Sequence, residues 1–242
     1  MKPSLIRKIA CSCFIMAVTA ILPTHASVIV NGTRVIYDSK ERDVSVRLTN
    51  TGTQPVLVQS WIDDGQQNAK PDHLSTPFTL TPPINRINAG KSQTLRISYT
   101  GITALPQNKE SVYWLNVLEI PAAQKNEKDS KLQVAFRTRI KLFYRPDILS
   151  DRGRVTEAAE KVQWSVAGDK LTAINTSPYF ISLVSVTLSN NGRKGSLEGE
   201  MVPPLGKYDF RLPGSLRPGT GTTLIYEYVN DWGAVKKVEY IL

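Results

Sequence analysis

Apolar and polar residues alternate along most of this chain, and a period of two selects strands over helices. Val44-Ser45-Val46-Arg47-Leu48 and Leu95-Arg96-Ile97-Ser98-Tyr99 are clear cases. Tyr113-Trp114-Leu115-Asn116-Val117-Leu118-Glu119-Ile120 is longer and more apolar, as expected of a strand buried on both sides. Leu132-Gln133-Val134-Ala135-Phe136-Arg137 alternates cleanly and runs on into Ile140-Lys141-Leu142-Phe143-Tyr144. Asn31-Gly32, Asn50-Thr51-Gly52, Asp63-Asp64-Gly65, Pro82-Pro83 and Ala89-Gly90 punctuate the runs with turn chemistry. Short β-branched and aromatic strands between closely spaced turns specify an all-β sandwich. Pro146 breaks the long run that ends at Arg145. Alternation restarts at Val162-Gln163-Trp164-Ser165-Val166, Leu171-Thr172-Ala173-Ile174, 181–188, Leu224-Ile225-Tyr226-Glu227-Tyr228 and 235–242. A proline cannot donate to a strand ladder, so residues 27–146 and 147–242 read as two sandwiches joined at a hinge. Residues 155–162 (VTEAAEKV) are the one short helical candidate and carry little weight.

The N-terminus is of a different kind. Lys2, Arg7 and Lys8 precede the apolar run IACSCFIMAVTAIL, which is short for a bilayer span, and Pro23-Thr24-His25-Ala26 follows it. Small Ala26, with Thr24 two positions earlier, suits signal peptidase. Residues 1–26 therefore read as a secretory signal whose removal leaves Ser27 first. No later stretch approaches the ~18 consecutive apolar residues of a membrane helix, so the processed chain is expected to be exported without stable membrane insertion. Cys11, Cys13 and His25 leave with the signal, and residues 27–242 then hold His73 alone and no thiol. Thiol catalysis, a disulfide framework and cysteine-based metal sites are excluded, and a histidine-rich metal site nearly so. Such an exported chain must fold on apolar burial, which a 41% hydrophobic composition can supply to two cores.

Enzyme signatures are missing. Neither a Gly-x-Ser-x-Gly elbow nor a glycine-rich phosphate loop occurs, and Gly219-Thr220-Gly221 is too short to be more than a turn. His73 lies among Pro71, Asp72 and Ser75 in a loop-like stretch, and the adjacent acids Asp63 and Asp64 read as solvated. Asn31-Gly32-Thr33 and Asn175-Thr176-Ser177 match a glycosylation sequon, which matters only in a eukaryotic host. The net charge of +9 falls to +6 once Lys2, Arg7 and Lys8 are removed. No run of Lys and Arg exceeds two residues and aromatics do not interleave with basic clusters. The charge reads as a basic exported surface, with no nucleic acid as partner.

The candidate site is a strand. Leu132, Val134 and Phe136 share one parity, and Lys131, Gln133, Ala135, Arg137, Arg139 and Lys141 share the other. Alone, this is an ordinary amphipathic strand with one face on a core. Its surroundings add a set of motifs. They begin with Thr33-Arg34-Val35-Ile36-Tyr37, then Thr81-Pro82-Pro83-Ile84-Asn85-Arg86 followed by Gly90-Lys91-Ser92. Leu105-Pro106-Gln107-Asn108-Lys109-Glu110-Ser111, NVLEIP at 116–121, and Arg139-Ile140-Lys141-Leu142-Phe143-Tyr144-Arg145-Pro146 come next. Asn175-Thr176-Ser177-Pro178-Tyr179-Phe180 and Val229-Asn230-Asp231-Trp232-Gly233 complete them. In this order and at these spacings, essentially the whole chain after residue 26 resembles the periplasmic fimbrial (pilus) assembly chaperones of Gram-negative bacteria, PapD-like. The stretch around 122–131 is short and unbraced by cysteines, which resembles the short-loop class. The terminal Tyr240-Ile241-Leu242 lacks the cysteine pair that some members carry.

The resemblance implies two immunoglobulin-like β-sandwich domains in an L or boomerang arrangement. It implies a non-enzymatic chaperone with no cofactor and no metal, whose partners are pilus subunits and an outer-membrane usher. Leu132, Val134 and Phe136 would be the donor strand lent to a subunit that lacks a strand of its own. Arg34 and Lys141 would hold the subunit's C-terminal carboxylate and so fix the register. Glu110, Arg145 and Asp231 would form an interdomain ion network. An exposed apolar donor strand would also favour a self-capping dimer. The rival readings are an exported β-sandwich adhesin or structural fimbrial component, which needs no Arg34–Lys141 anchor, and a glycan-active enzyme, for which no carboxylate pair stands out.

Overall fold

The computed structural model describes residues 27–121, 134–190, 193–214, 216, 218–219 and 221–242. In the first half, β1 (Val28–Val30), β3 (Val44–Asn50), β7 (Ser92–Tyr99) and β5 (Phe78–Thr81) form one sheet in the order β1-β3-β7-β5. The sheet facing it runs β2 (Arg34–Asp38), β9 (Phe136–Arg145), β8 (Ser111–Pro121), β4 (Val56–Asp63), β6 (Ile84–Ile87). The period-two pattern supplies the core directly. Leu48, Leu95 and Ile97 from one sheet and Val58, Leu115, Val117 and Leu142 from the other are buried. The second half pairs a three-stranded sheet, β10 (Gln163–Ala167), β11 (Lys170–Asn175) and β15 (Gly206–Arg211), with a larger one. That sheet runs β13 (Arg193–Glu198), β12 (Ile181–Asn190), β16 (Thr223–Val229), β17 (Val235–Ile241), and β14 (Met201–Val202) also pairs with β12. Leu171, Ile181, Val186, Leu224 and Tyr226 are buried between them. Both halves are immunoglobulin-like sandwiches.

Three sequence expectations change in detail. The helix is real and starts earlier, as α1 (Arg152–Glu160). Asp151 caps it, its Oδ1 accepting from the amides of Gly153 at 2.8 Å and Arg154 at 3.4 Å. Ala159 is buried in the second core, and the Tyr226 hydroxyl donates to the Ala159 carbonyl at 3.0 Å. So tertiary packing, more than periodicity, holds this short helix. Strand β8 is covered on one face only along much of its length: Leu115 and Val117 are in the core while Trp114, Leu118 and Ile120 remain half-exposed. Asp63 is not solvated; it is 1% exposed, at the end of β4. The polar stretch 124–131 and Leu132 lie outside the described residues.

Candidate functional site

Strand β9 has two halves with different neighbours. Lys141 to Arg145 lie between β8 and β2, with β2 in parallel register from Arg34 opposite Lys141 to Asp38 opposite Arg145. From Phe136 to Ile140, among the described residues, β9 pairs with β8 alone, from Glu119 opposite Phe136 to Leu115 opposite Ile140. The cause is the shortness of β2: the chain turns at Asn31-Gly32, where Gly32 takes φ 120°, so β2 starts at Arg34 and covers half of β9. Among the described residues, the uncovered half leaves a row of backbone groups open for pairing with another chain. Phe136 continues the core-facing row of Ile140, Leu142 and Tyr144, yet it is 44% exposed, and Val134 just before the strand is 48% exposed. One apolar row therefore begins inside the sandwich and runs out into solvent.

Arg34 and Lys141 stand where the two halves of β9 meet. Being opposite in the ladder, they project to the same face, away from the core that holds Val35 and Leu142. An Arg34 Nη1 hydrogen is donated to the Val229 carbonyl at 2.9 Å, and its guanidinium lies 5.6 Å from the Phe143 ring centre. Its Nε is buried without a hydrogen-bond partner among the described residues. Lys141 Nζ reaches Ser182 Oγ at 3.5 Å. No carboxylate of the described residues lies within ion-pairing distance of either cation. Burial pushes the Arg34 guanidinium below its ordinary value, against the opposing pull of Asp231 and Glu110. Burial, and then the positive charge of Arg34, push the Lys141 ammonium down. The pair thus lies in a partly dry cleft where the second sandwich meets it, Val229 at Arg34 and Ser182 at Lys141.

Behind this cleft lies a closed ion network. Arg145 Nε donates to Glu110 Oε1 at 2.7 Å, while its Nη1 and Nη2 donate to the two oxygens of Asp231 at 2.6 and 3.0 Å. The side chains of Arg145, Glu110 and Asp231 are 3%, 2% and 8% exposed. Glu110 also accepts the Phe180 amide at 2.8 Å and donates its own amide to the Pro178 carbonyl at 2.9 Å. Two residues of the first sandwich thus grip the second. Burial alone would lower Arg145, but hydrogen bonds to Asp231 and the charge of Glu110 outweigh it and raise the guanidinium further. For Glu110 burial dominates and pushes the carboxyl up, only partly offset by Arg145.

A second polar cluster escaped the sequence reading. Arg139 Nε and Nη2 donate to the two oxygens of Asp63 at 2.9 and 2.6 Å, and Asn116 Nδ2 donates to Asp63 Oδ2 at 2.6 Å. The Arg139 guanidinium also sits 4.5 Å from the Trp114 ring centre. Asp63, Asn116 and Arg139 lie on β4, β8 and β9, so the cluster ties the half-free stretch of β9 across the sheet. Arg137 adds a bond from Nη1 to the Gln67 carbonyl at 2.9 Å. Nothing in the sequence pairs Asp63 with Arg139, which lie 76 positions apart.

Fold and cleft together define a two-sandwich protein that presents a strand half-free among the described residues, beside two cations that no described carboxylate reaches within ion-pairing distance. The chain belongs to the pili assembly chaperone family. Residues 27–150 match the model of the pili and flagellar-assembly chaperone, PapD N-terminal domain, and residues 157–240 that of the pili assembly chaperone PapD, C-terminal domain. The chain is 40% identical over 228 residues to the probable fimbrial chaperone YadV of Escherichia coli K12, covering 91% of this chain and 92% of that protein. It is 39% identical over 226 residues to the chaperone protein MrkB of Klebsiella pneumoniae, covering 92% and 93%. Among solved structures, that of the YadV chaperone matches with a TM-score of 0.78 at 37% identity, over 90% of this chain and 100% of the other. The Pseudomonas aeruginosa CupB2 chaperone matches with a TM-score of 0.74 at 36% identity, over 88% and 100%. Among the described residues no helix is long and apolar enough to cross a membrane.

Proposed function

We propose that this chain is a periplasmic chaperone that captures pilus subunits by lending them β9 and passes them to an outer-membrane usher. The observation that carries the reading is the edge of β9 from Phe136 to Ile140, open among the described residues and ending at Arg34 and Lys141. A subunit sandwich missing a strand has an open groove and an exposed core. An extended donor completes it through main-chain pairing, while Val134, Phe136 and Leu132 fill the groove at alternate positions. Burying the three gives roughly 5–9 kcal/mol before ordering costs are subtracted. The subunit's terminal carboxylate would meet both desolvated cations, whose charge-assisted hydrogen bonds set the register. Glu110, Arg145 and Asp231 would hold the two domains, 27–146 and 147–242, at the angle that keeps this cleft open.

The signal at 1–26 would be cleaved after Ala26 on export. Release to the usher needs no enzyme chemistry and no cofactor: exchange of the lent strand for a better-fitting subunit strand supplies the driving force. Without a subunit, Val134 and Phe136 would pair with a second copy as a capped dimer. The test is co-expression with candidate pilus subunits, comparing the unsubstituted chain with Arg34→Ala and Lys141→Ala. Capture of a subunit that is lost in both variants is expected. Capture that survives both removes the anchor, and no capture by the unsubstituted chain removes the chaperone reading.

A further inference from the structure

We infer that residue 27 occupies a socket built for a free amino terminus, in which Glu119 receives the α-ammonium of Ser27. This rests on the proposed cleavage after Ala26. Glu119 is 7% exposed and lies on the core-facing side of β8, in the same row as Leu115 and Val117. Among the described residues, no lysine or arginine side chain is within ion-pairing distance of it. Its oxygens instead accept from the Ser27 backbone nitrogen at 3.3 Å, from the Ser27 hydroxyl, and from the Val28 amide at 3.0 Å.

The rest of the socket grips the same residue. The Ser27 carbonyl accepts from the Thr51 amide at 2.7 Å and the Thr51 hydroxyl at 3.2 Å. Gly52 packs so closely that a Cβ there would fall 2.7 Å from Ser27 Cβ. Among the described residues Glu119 is thus served by neutral donors alone, and burying a carboxylate without a counter-charge is costly. While residues 1–26 are attached, Ser27 nitrogen is a peptide amide with one hydrogen. After cleavage it is an ammonium with three, already within reach of Glu119 Oε1, and the contact becomes a charge-assisted bond.

The position gives the pair a consequence. Ser27 leads into β1 of one sheet and Glu119 belongs to β8 of the other, so the bond closes the rim of the first sandwich. Glu119 is also directly opposite Phe136 in the ladder. Processing would therefore complete the end of the sandwich from which the lent strand emerges.

The experiment uses the exported protein, with its N-terminus read by mass spectrometry and its thermal midpoint measured in four forms. These are the authentic chain, one with a glycine inserted before Ser27, Glu119→Gln, and the two changes combined. An N-terminus at Ser27 is expected, with each single change lowering the midpoint by about 2–4 °C and the combination lowering it little further. A different N-terminus overturns the cleavage reading and the socket with it. A Ser27 terminus with additive losses, or with no loss on glycine insertion, overturns the socket alone. The glycine insertion leaves Glu119 in place, so it decides the matter even where Glu119→Gln fails to accumulate.

Discussion

Arg145 is held by two carboxylates in a nearly dry site, and its removal would leave Glu110 and Asp231 buried without a cation. Arg145→Ala should therefore cost about 3–5 kcal/mol in denaturant unfolding. Arg145→Lys should recover only part, because a compact ammonium cannot span two acids as a planar fork does. Asp63 makes a pH prediction. Burial would raise its carboxyl, but hydrogen bonds from Arg139, Asn116 and the Gly65 amide hold it below the ordinary value. A depressed folded value means stability that is present above the unfolded value of about 3.9 and lost as pH falls through the folded one. The stability gap between the unsubstituted chain and Asp63→Asn should thus be full at neutral pH and close as pH drops below about 4. The two sites differ in how far sequence exposes them. Glu110, Arg145 and Asp231 each sit in a family motif, so resemblance brings them together. Of the neighbours Asp63 and Asp64, nothing local tells which one a distant arginine will bury.

At the scale of the element, the period-two rule identified β3, β7, β8 and β9 from their own residues. What it could not supply is pairing, because a ladder partner is chosen by long-range closure. That β2 covers only the second half of β9 depends on where a turn ends far earlier in the chain. This is why alternation alone left β9 an ordinary amphipathic strand. The structure makes the distinction testable. Val134 is 48% exposed and precedes the ladder, so Val134→Asp should change unfolding stability by no more than about 0.5 kcal/mol. It should nevertheless abolish subunit capture, because a charge would then enter an apolar groove. A pull-down beside a denaturation curve checks both halves of that expectation. Helix α1 shows the reverse: its sequence is weakly patterned, and its order comes from the Asp151 cap and contact with the second core.

The whole molecule depends on how its two sandwiches meet. Sequence marked the junction at Pro146 as a break, and the structure surrounds that break with buried ionic and aromatic contacts. Phe143 meets Phe180 with ring centres 5.9 Å apart, beside the Arg145 network. The turn at Asn230-Asp231-Trp232-Gly233 packs on the segment before β2: Gly233 has φ 81°, and a Cβ there would lie 2.5 Å from Thr33 Oγ1. Gly233→Val should force the sandwiches apart there and weaken capture while leaving both cores intact, read as a changed small-angle scattering profile with unchanged far-ultraviolet circular dichroism. Lending of the first half of β9 can be read from amide hydrogen exchange on the free chain and on its complex with a pilus subunit. Amides between 136 and 140 that point away from β8 should exchange fast in the free chain and become protected in the complex, with 141–145 protected in both. A stable complex without added protection at 136–140 would contradict it.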